Sequence, residues 1–177
     1  RIEEFQGHSK EYTATLQLGA TTASYDMEHE VNAVYPTTGI TRERIEEVLA
    51  QFVGDIQQVP PTYSACKVNG NRAYELRRKG RDVELAPKNI HIDAIDILGF
   101  DAGEMRLDIR VACGKGTYIR ALARDIGRAL GSGAYLTALC RTRVGAFRVE
   151  DSIAFDSFAE WLDNQKIENN EEENKQI

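Results

Sequence analysis

The sequence predicts an α+β fold, a mainly antiparallel sheet flanked by helices and loops. Two runs with period-two patterning lead there first. In Ile90 to Phe100 the pattern begins Ile90, Ile92, Ala94, and in Met105 to Cys113 it reads Met105, Leu107, Ile109, Val111, Cys113. Only a short turn around Asp101 to Gly103 separates them, the arrangement of an antiparallel pair. A third run, Glu11 to Leu18, alternates polar and β-favouring residues and stops at Gly19. Two further stretches carry apolar residues at helical spacing instead, so helices accompany the sheet.

Taken in chain order, the Glu11 strand leads into a loop-like segment from Thr21 to Asp26. Thr41 is placed to cap a helix in which Ile45, Val48, Leu49 and Phe52 fall at i, i+3, i+4 and i+7, with Gly54 near its end. Pro60 and Pro61 force an extended entry into TYSACKVNG, and Asn69-Gly70 favours a tight turn. A short helix is expected around Arg72 to Lys79, closed by Gly80. After the strand pair, Gly114 and Gly116 permit a sharp strand-to-helix transition. The segment Thr117 to Leu130 then carries Ile119, Leu122, Ala123, Ile126 and Leu130 on one stripe. At about 100° per residue, Arg124 and Arg128 point away from that stripe and are expected to be exposed, while Arg120 sits half-buried on its flank. Gly131 to Gly133 ends the helix, and Tyr135 to Arg141 with Gly145 to Val149 reads as a hairpin.

A length of 177 residues with 42% hydrophobic content suffices for one domain with a core. The three cysteines and three histidines lack disulfide-framework or zinc-ligand spacing, so no metal is expected. No apolar stretch is long enough to span a bilayer, and the expected setting is a reducing cytoplasm with no membrane partner. The first residue is Arg1 rather than methionine, consistent with a fragment of a longer chain.

Charge is unevenly placed. The formal net charge is -6, yet residues 113–148 contain Lys115, Arg120, Arg124, Arg128, Arg141, Arg143 and Arg148 against the single acid Asp125. A second basic cluster comprises Lys67, Arg72, Arg77, Arg78, Lys79 and Arg81. Such local polarity suggests a polyanionic partner such as RNA. From Glu150 onward nine acids face two lysines. The expected division is a body over residues 1–158 and a frayed acidic tail over 159–177.

Three segments carry a specific resemblance. CGKGTYIRALARDIGRALGSGAYLTALCRTRVGAF is similar to the C-terminal catalytic-domain motif of the bacterial tRNA pseudouridine synthase B (TruB) family. KEYTATLQLG resembles that family's Lys-x-Tyr strand through Tyr12. PPTYSACKVNGNRAYELRRKG resembles its Tyr-Ser-Ala-x-Lys-x-x-Gly-x-x-x-Tyr element through Tyr63, Ser64, Ala65, Lys67, Gly70 and Tyr74. Together they cover roughly Lys10 to Phe158. Cys140 stands where an arginine is common, and Arg77 where the family usually has alanine.

The resemblance implies the C-terminal half of a pseudouridine synthase catalytic domain, acting without cofactor on the T-loop uridine conventionally numbered 55. Its implied partner is the stem-loop RNA of the tRNA T arm, bound by a monomer. The reaction cleaves the bond between uracil N1 and ribose, turns the base and rejoins it through carbon 5, which calls for a carboxylate. In the family that aspartate lies in a Gly-x-Leu-Asp-Pro-x-Ala-x-Gly motif upstream of the Lys-x-Tyr strand. No such motif occurs here, so this chain alone is expected to be inactive.

Tyr12 matches the family's stacking tyrosine and proposed proton acceptor at carbon 5, and Arg120 the arginine that pairs with the catalytic aspartate. Those two are the catalytic candidates. Tyr118 and Leu139 match residues lining the uracil pocket, and Lys67, Arg78, Lys115, Arg124 and Arg141 are candidate RNA contacts, phosphates being the default target of clustered cations. Two other readings stand beside this one: a non-catalytic RNA-binding or chaperone module, and an enzyme using Asp26 as its own nucleophile.

Overall fold

Alternating burial along β1 (Lys10–Leu18) turns Ala14, Leu16 and Leu18 to one face and fixes the inner side of the sheet. In the computed structural model, which describes residues 7–63, 67–68, 71–72 and 85–164, β1 is an interior strand of the sheet. It is flanked by β8 (Arg106–Cys113) and β9 (Ala134–Val144), and β7 (Lys88–Asp101) and β4 (Gly54–Gln58) extend the sheet beyond β8. The order β9-β1-β8-β7-β4 is antiparallel at every step.

One apolar face of this sheet is covered by two helices. Helix α1 (Arg42–Ala50) contributes Ile45, Val48 and Leu49, and α2 (Ile119–Ala129) contributes Ile119, Leu122, Ala123 and Ile126. They pack with Leu16, Ile92, Leu107, Ile109 and Val111 in one core. Burying a side chain of this size stabilises by about 1.5–3 kcal/mol, so this layer holds the helices in place. The expected Thr41 cap is present, its hydroxyl accepting from the Arg44 N–H at 3.2 Å.

The antiparallel β7–β8 pair forms as the patterning predicts, and Asp101 closes its turn by accepting the N–H groups of Gly103 and Glu104. Other expectations are corrected. Thr21 and Thr22 are not loop: β2 (Ala20–Thr22) pairs antiparallel with β3 (Val31–Val34) in a small separate ribbon. Gly54 does not merely follow a helix; it starts β4, where Ile56 lies opposite Ile90. With one apolar residue in GDIQQ, periodicity had nothing to register. Tyr135 to Arg141 forms a strand as expected, within the longer β9, which also pairs with β1. Strands β5 (Lys67–Val68) and β6 (Asn71–Arg72) pair on either side of residues 69 and 70, while the helix expected around 72–79 falls on residues outside those described.

These elements through β9 lie in a first compact unit, Arg1–Ala146; the second is Phe147–Ile177. Taken by itself, the second unit contains β10 (Phe147–Arg148), short 3-10 turns at Val149–Asp151 and Phe155–Ser157, and helical residues 158–164. Phe158 and Trp161 stack within it, ring centroids 5.8 Å apart. No helix of the described residues is long and apolar enough to cross a membrane.

Candidate active site

The turn from β8 into α2 sets the position of Arg120. Gly116 adopts φ +83°, a conformation costly for any residue with a Cβ, and Thr117 closes the turn by donating to the Gly114 carbonyl at 3.2 Å. Tyr118 occupies the N-cap position without a capping side chain of its own. Its place is fixed from β4. The buried Gln58 amide donates to the Tyr118 carbonyl at 3.2 Å and accepts from its N–H at 2.9 Å.

Arg120 follows as the second helical residue. Its Nη1 donates to Asp26 Oδ2 at 2.9 Å and to the Ser24 carbonyl at 3.3 Å, and its Nη2 donates to the Tyr63 carbonyl at 2.7 Å. Arg120 and Asp26 are 23% and 27% exposed, so the pair is half-buried as the helical geometry anticipated for Arg120. The loop holding Asp26 is itself tied. Asp26 Oδ1 accepts from the Ser24 hydroxyl and the Glu28 N–H, and His29 Nδ1 lies 3.0 Å from that hydroxyl. Tyr25 takes φ +59° and its carbonyl accepts from the Leu136 N–H, which anchors the loop to β9. A guanidinium carries five N–H donors. Two on Nη1 and one on Nη2 are used here, leaving the Nε hydrogen and one Nη2 hydrogen without a partner among the described residues.

Beside this pair opens a cleft of about 340 Å³ lined by Asp26, Met27, Glu28, Arg120, Leu136 and Leu139, among others. Leu139 is 48% exposed and pairs across the sheet with Ala14; Arg141 pairs with Tyr12. Paired residues of antiparallel strands share a face, so Tyr12, Leu139 and Arg141 lie on the side of the sheet that α2 covers. Tyr12 is partly buried against the core. Burial pushes its phenol above the ordinary tyrosine value, with the neighbouring Cys113 adding to the rise, while the Arg141 guanidinium opposite it opposes the shift.

The structure thus brings Arg120 and Leu139 to one cleft, sets Tyr12 and Arg141 side by side, and places Tyr118 at the base of the same helix. It separates others. Lys115 is exposed in the turn before α2 and lines a different depression with Lys10 and Lys88. Arg124 corrects the expectation of an exposed cation: its side chain is only 8% exposed. It donates to both Asp125 oxygens and to the Val59 carbonyl, and its guanidinium sits 5.6 Å from the Tyr25 ring centroid. The helical wheel was right about the stripe but blind to the β4–Tyr63 segment that covers the opposite side. Arg78 lies outside the described residues, and nothing is described for the side chain of Lys67. Asp26 as Arg120's partner was not legible in the sequence, because the two are separated by 94 positions and joined only by the tertiary fold.

The model of the TruB family pseudouridylate synthase N-terminal domain matches residues 1–119, and that of the tRNA pseudouridylate synthase B C-terminal domain matches residues 120–175. A tRNA pseudouridine synthase B from Bacteroides thetaiotaomicron is 61% identical over 98% of this chain, which spans 73% of that relative. Another from Phocaeicola vulgatus is 62% identical over 95% of the chain, spanning 71% of it. Among solved structures, one from a crystal structure of a Cbf5-Nop10-Gar1 complex is similar with a TM-score of 0.65 and 25% identity over 91% of this chain; the chain covers 38% of that one.

Proposed function

Because the chain belongs to the TruB family of pseudouridylate synthases, we propose that it carries the Tyr12 and Arg120 half of an active site that isomerises the T-loop uridine 55 of tRNA. The observation that carries this reading is the Arg120 arrangement: a half-buried guanidinium, held by Asp26 and two carbonyls, keeps two N–H donors free beside an open cleft. A planar, permanently charged guanidinium with free donors is suited to a second carboxylate.

In this reading the second carboxylate is the nucleophilic aspartate of the family's Gly-x-Leu-Asp-Pro motif, which these 177 residues do not contain. Asp26 is then a positioning residue. Both its oxygens are committed, one to Arg120 and one to the Ser24 hydroxyl and Glu28 N–H, which leaves it poorly disposed to attack a ribose carbon. The target uridine leaves its stack, a step costing a few kcal/mol in general, and packs against Tyr12 and the exposed Leu139. Tyr12 takes the carbon 5 proton as its phenolate, which Arg141 stabilises, and the transfer leaves it as the neutral phenol that burial favours. Tyr118 supports the pocket from the helix start, and exposed cations such as Lys115 contact phosphates of the T arm. The protein acts as a monomer.

Release of tritium from carbon 5 of uridine in a T-stem-loop RNA tests this. The 177-residue chain is expected to stay at background, whereas the same chain carrying the family's upstream segment turns over. Turnover by the 177 residues alone at a comparable rate overturns the assignment and makes Asp26 the nucleophile.

A further inference from the structure

Farther along the face of α2 that bears Arg120 lies a larger concavity of about 980 Å³. Its walls are the β2–β3 ribbon, the segment from Val59 to Tyr63, and the α2 face bearing Arg124 and Arg128. Three tyrosines line it: Tyr25, Tyr35 and Tyr63. The Tyr35 ring packs against Gly133, where an added Cβ would meet it at 2.5 Å, so a glycine is needed there to seat the ring. Tyr25 carries the Arg124 guanidinium above it, and Tyr63 packs at 4.7 Å against His29. The rings are therefore held by their surroundings rather than swinging free.

Thr21, Thr22, Arg124 and Ser132 spend their polar groups within the protein, but others in this cleft are open to a ligand. Arg128 is exposed and forms no ion pair with another described residue, and the hydroxyls of Tyr25 and Tyr35 donate to none. Asn32, which also lines the cleft, accepts from the Thr21 hydroxyl through its amide oxygen at 2.9 Å, and its two N–H donors have no partner among the described residues. Immobilised aromatic faces, an unpaired guanidinium and an amide donor together match a planar base with a phosphate attached. An aliphatic ligand would leave the cation and amide unanswered.

We propose that this concavity is a second nucleotide-binding site, separate from the Arg120 centre, in which a base lies on the tyrosine rings, Asn32 meets its polar edge and Arg128 its phosphate. The ligand is a base-and-phosphate unit, drawn either from the bound RNA strand or from a free nucleotide. The site also borders the catalytic candidate residues. Tyr63 gives its ring to the cleft and its carbonyl to Arg120, and Tyr25 immediately precedes Asp26. Occupancy is thus felt by the loop that orients Arg120.

Two probes separate the sources: titration calorimetry with uridine 5′-monophosphate, and filter binding of a T-stem-loop RNA. Saturable binding of at least one is expected, weakened about fivefold or more by Arg128→Glu and by Tyr35→Leu. Arg110→Ala, which removes an exposed cation on the sheet, should change it by less than about twofold, so a general charge effect is subtracted. Loss with the RNA only assigns the base to the strand, and loss with the mononucleotide assigns it to a free nucleotide. Undiminished binding of both probes by Arg128→Glu, or no saturable binding of either to the unaltered chain, overturns the proposal. If Tyr35→Leu melts early, the exposed Arg128 decides alone. Pseudouridine formation is not read, so a failure of the catalytic assignment leaves this result standing.

Discussion

Arg120 and Tyr12 make different demands on their surroundings, and single substitutions separate them. In the chain with its upstream segment, Arg120→Lys should abolish tritium release while leaving the thermal midpoint nearly unchanged, since an ammonium keeps the charge but not the fork. Asp26→Asn removes a partner that is about a quarter exposed. Its cost in stability is therefore on the order of 1 kcal/mol, well below that of a fully buried pair. Tyr12→Phe should retain RNA binding through the ring and lose turnover through the missing phenol. Because burial raises the Tyr12 pKa, the neutral form is the one the fold favours. The stability this contributes is complete below the ordinary tyrosine value and declines as pH rises through the raised one. A spectrophotometric tyrosine titration should show one late phase that disappears in Tyr12→Phe; an unchanged curve would contradict the burial argument.

Elements here are joined by a small number of side-chain links, and each can be cut. His91 on β7 meets Asp55 on β4 at 2.7 Å, and that hydrogen bond raises the imidazole pKa above its ordinary value. The stabilising effect is present when pH is below the ordinary histidine value and is lost as pH climbs through the raised one. The His91 titration followed by NMR should therefore move down in Asp55→Asn. Helix α2 depends on its apolar stripe. Ile126 is fully buried in the core, and Ile126→Ala should cost about 2–5 kcal/mol, seen as a shifted denaturant midpoint. Arg124→Ala should also lower stability, because its guanidinium satisfies the Val59 carbonyl and Asp125. A variant as stable as the parent would mean that the link is dispensable.

For the whole molecule, the overall -6 charge is a poor guide to partners, because the acids concentrate after residue 149 and the cations on α2 and its neighbours. RNA affinity should fall linearly in the logarithm of salt concentration as counterions are released. Lys115→Ala should reduce that slope by close to one phosphate contact, whereas the buried Arg124 should not act this way. Equal slopes for all three proteins in filter binding would remove Lys115 from the interface. Removal of residues 165–177 asks whether the acidic tail competes: tighter binding after deletion at low salt is the competing outcome, and unchanged binding excludes it.

Alternation in Ile90–Phe100 and Met105–Cys113 was enough to predict an antiparallel pair, and the stripe of Ile119, Leu122, Ala123 and Ile126 enough to predict α2, because a strand or helix needs only local periodicity to declare which face is buried. The Lys-x-Tyr and GKGTYIRAL segments likewise carried the family, and with it Tyr12 and Arg120 as the catalytic candidates proposed here. What no local pattern held was the company those residues keep. Asp26, Ser24 and Tyr63 reach Arg120, and Gln58 reaches Tyr118, across 57 to 96 residues of chain. Arg124, an exposed cation by its helical angle, is covered by the Val59 backbone. Hydrogen bonds between distant segments exist only after the sheet and helices have packed, so the sequence by itself determined the family and the strongly periodic elements, and the tertiary structure alone decided the β2–β3 ribbon, β4, which charges face the cleft and which are locked away.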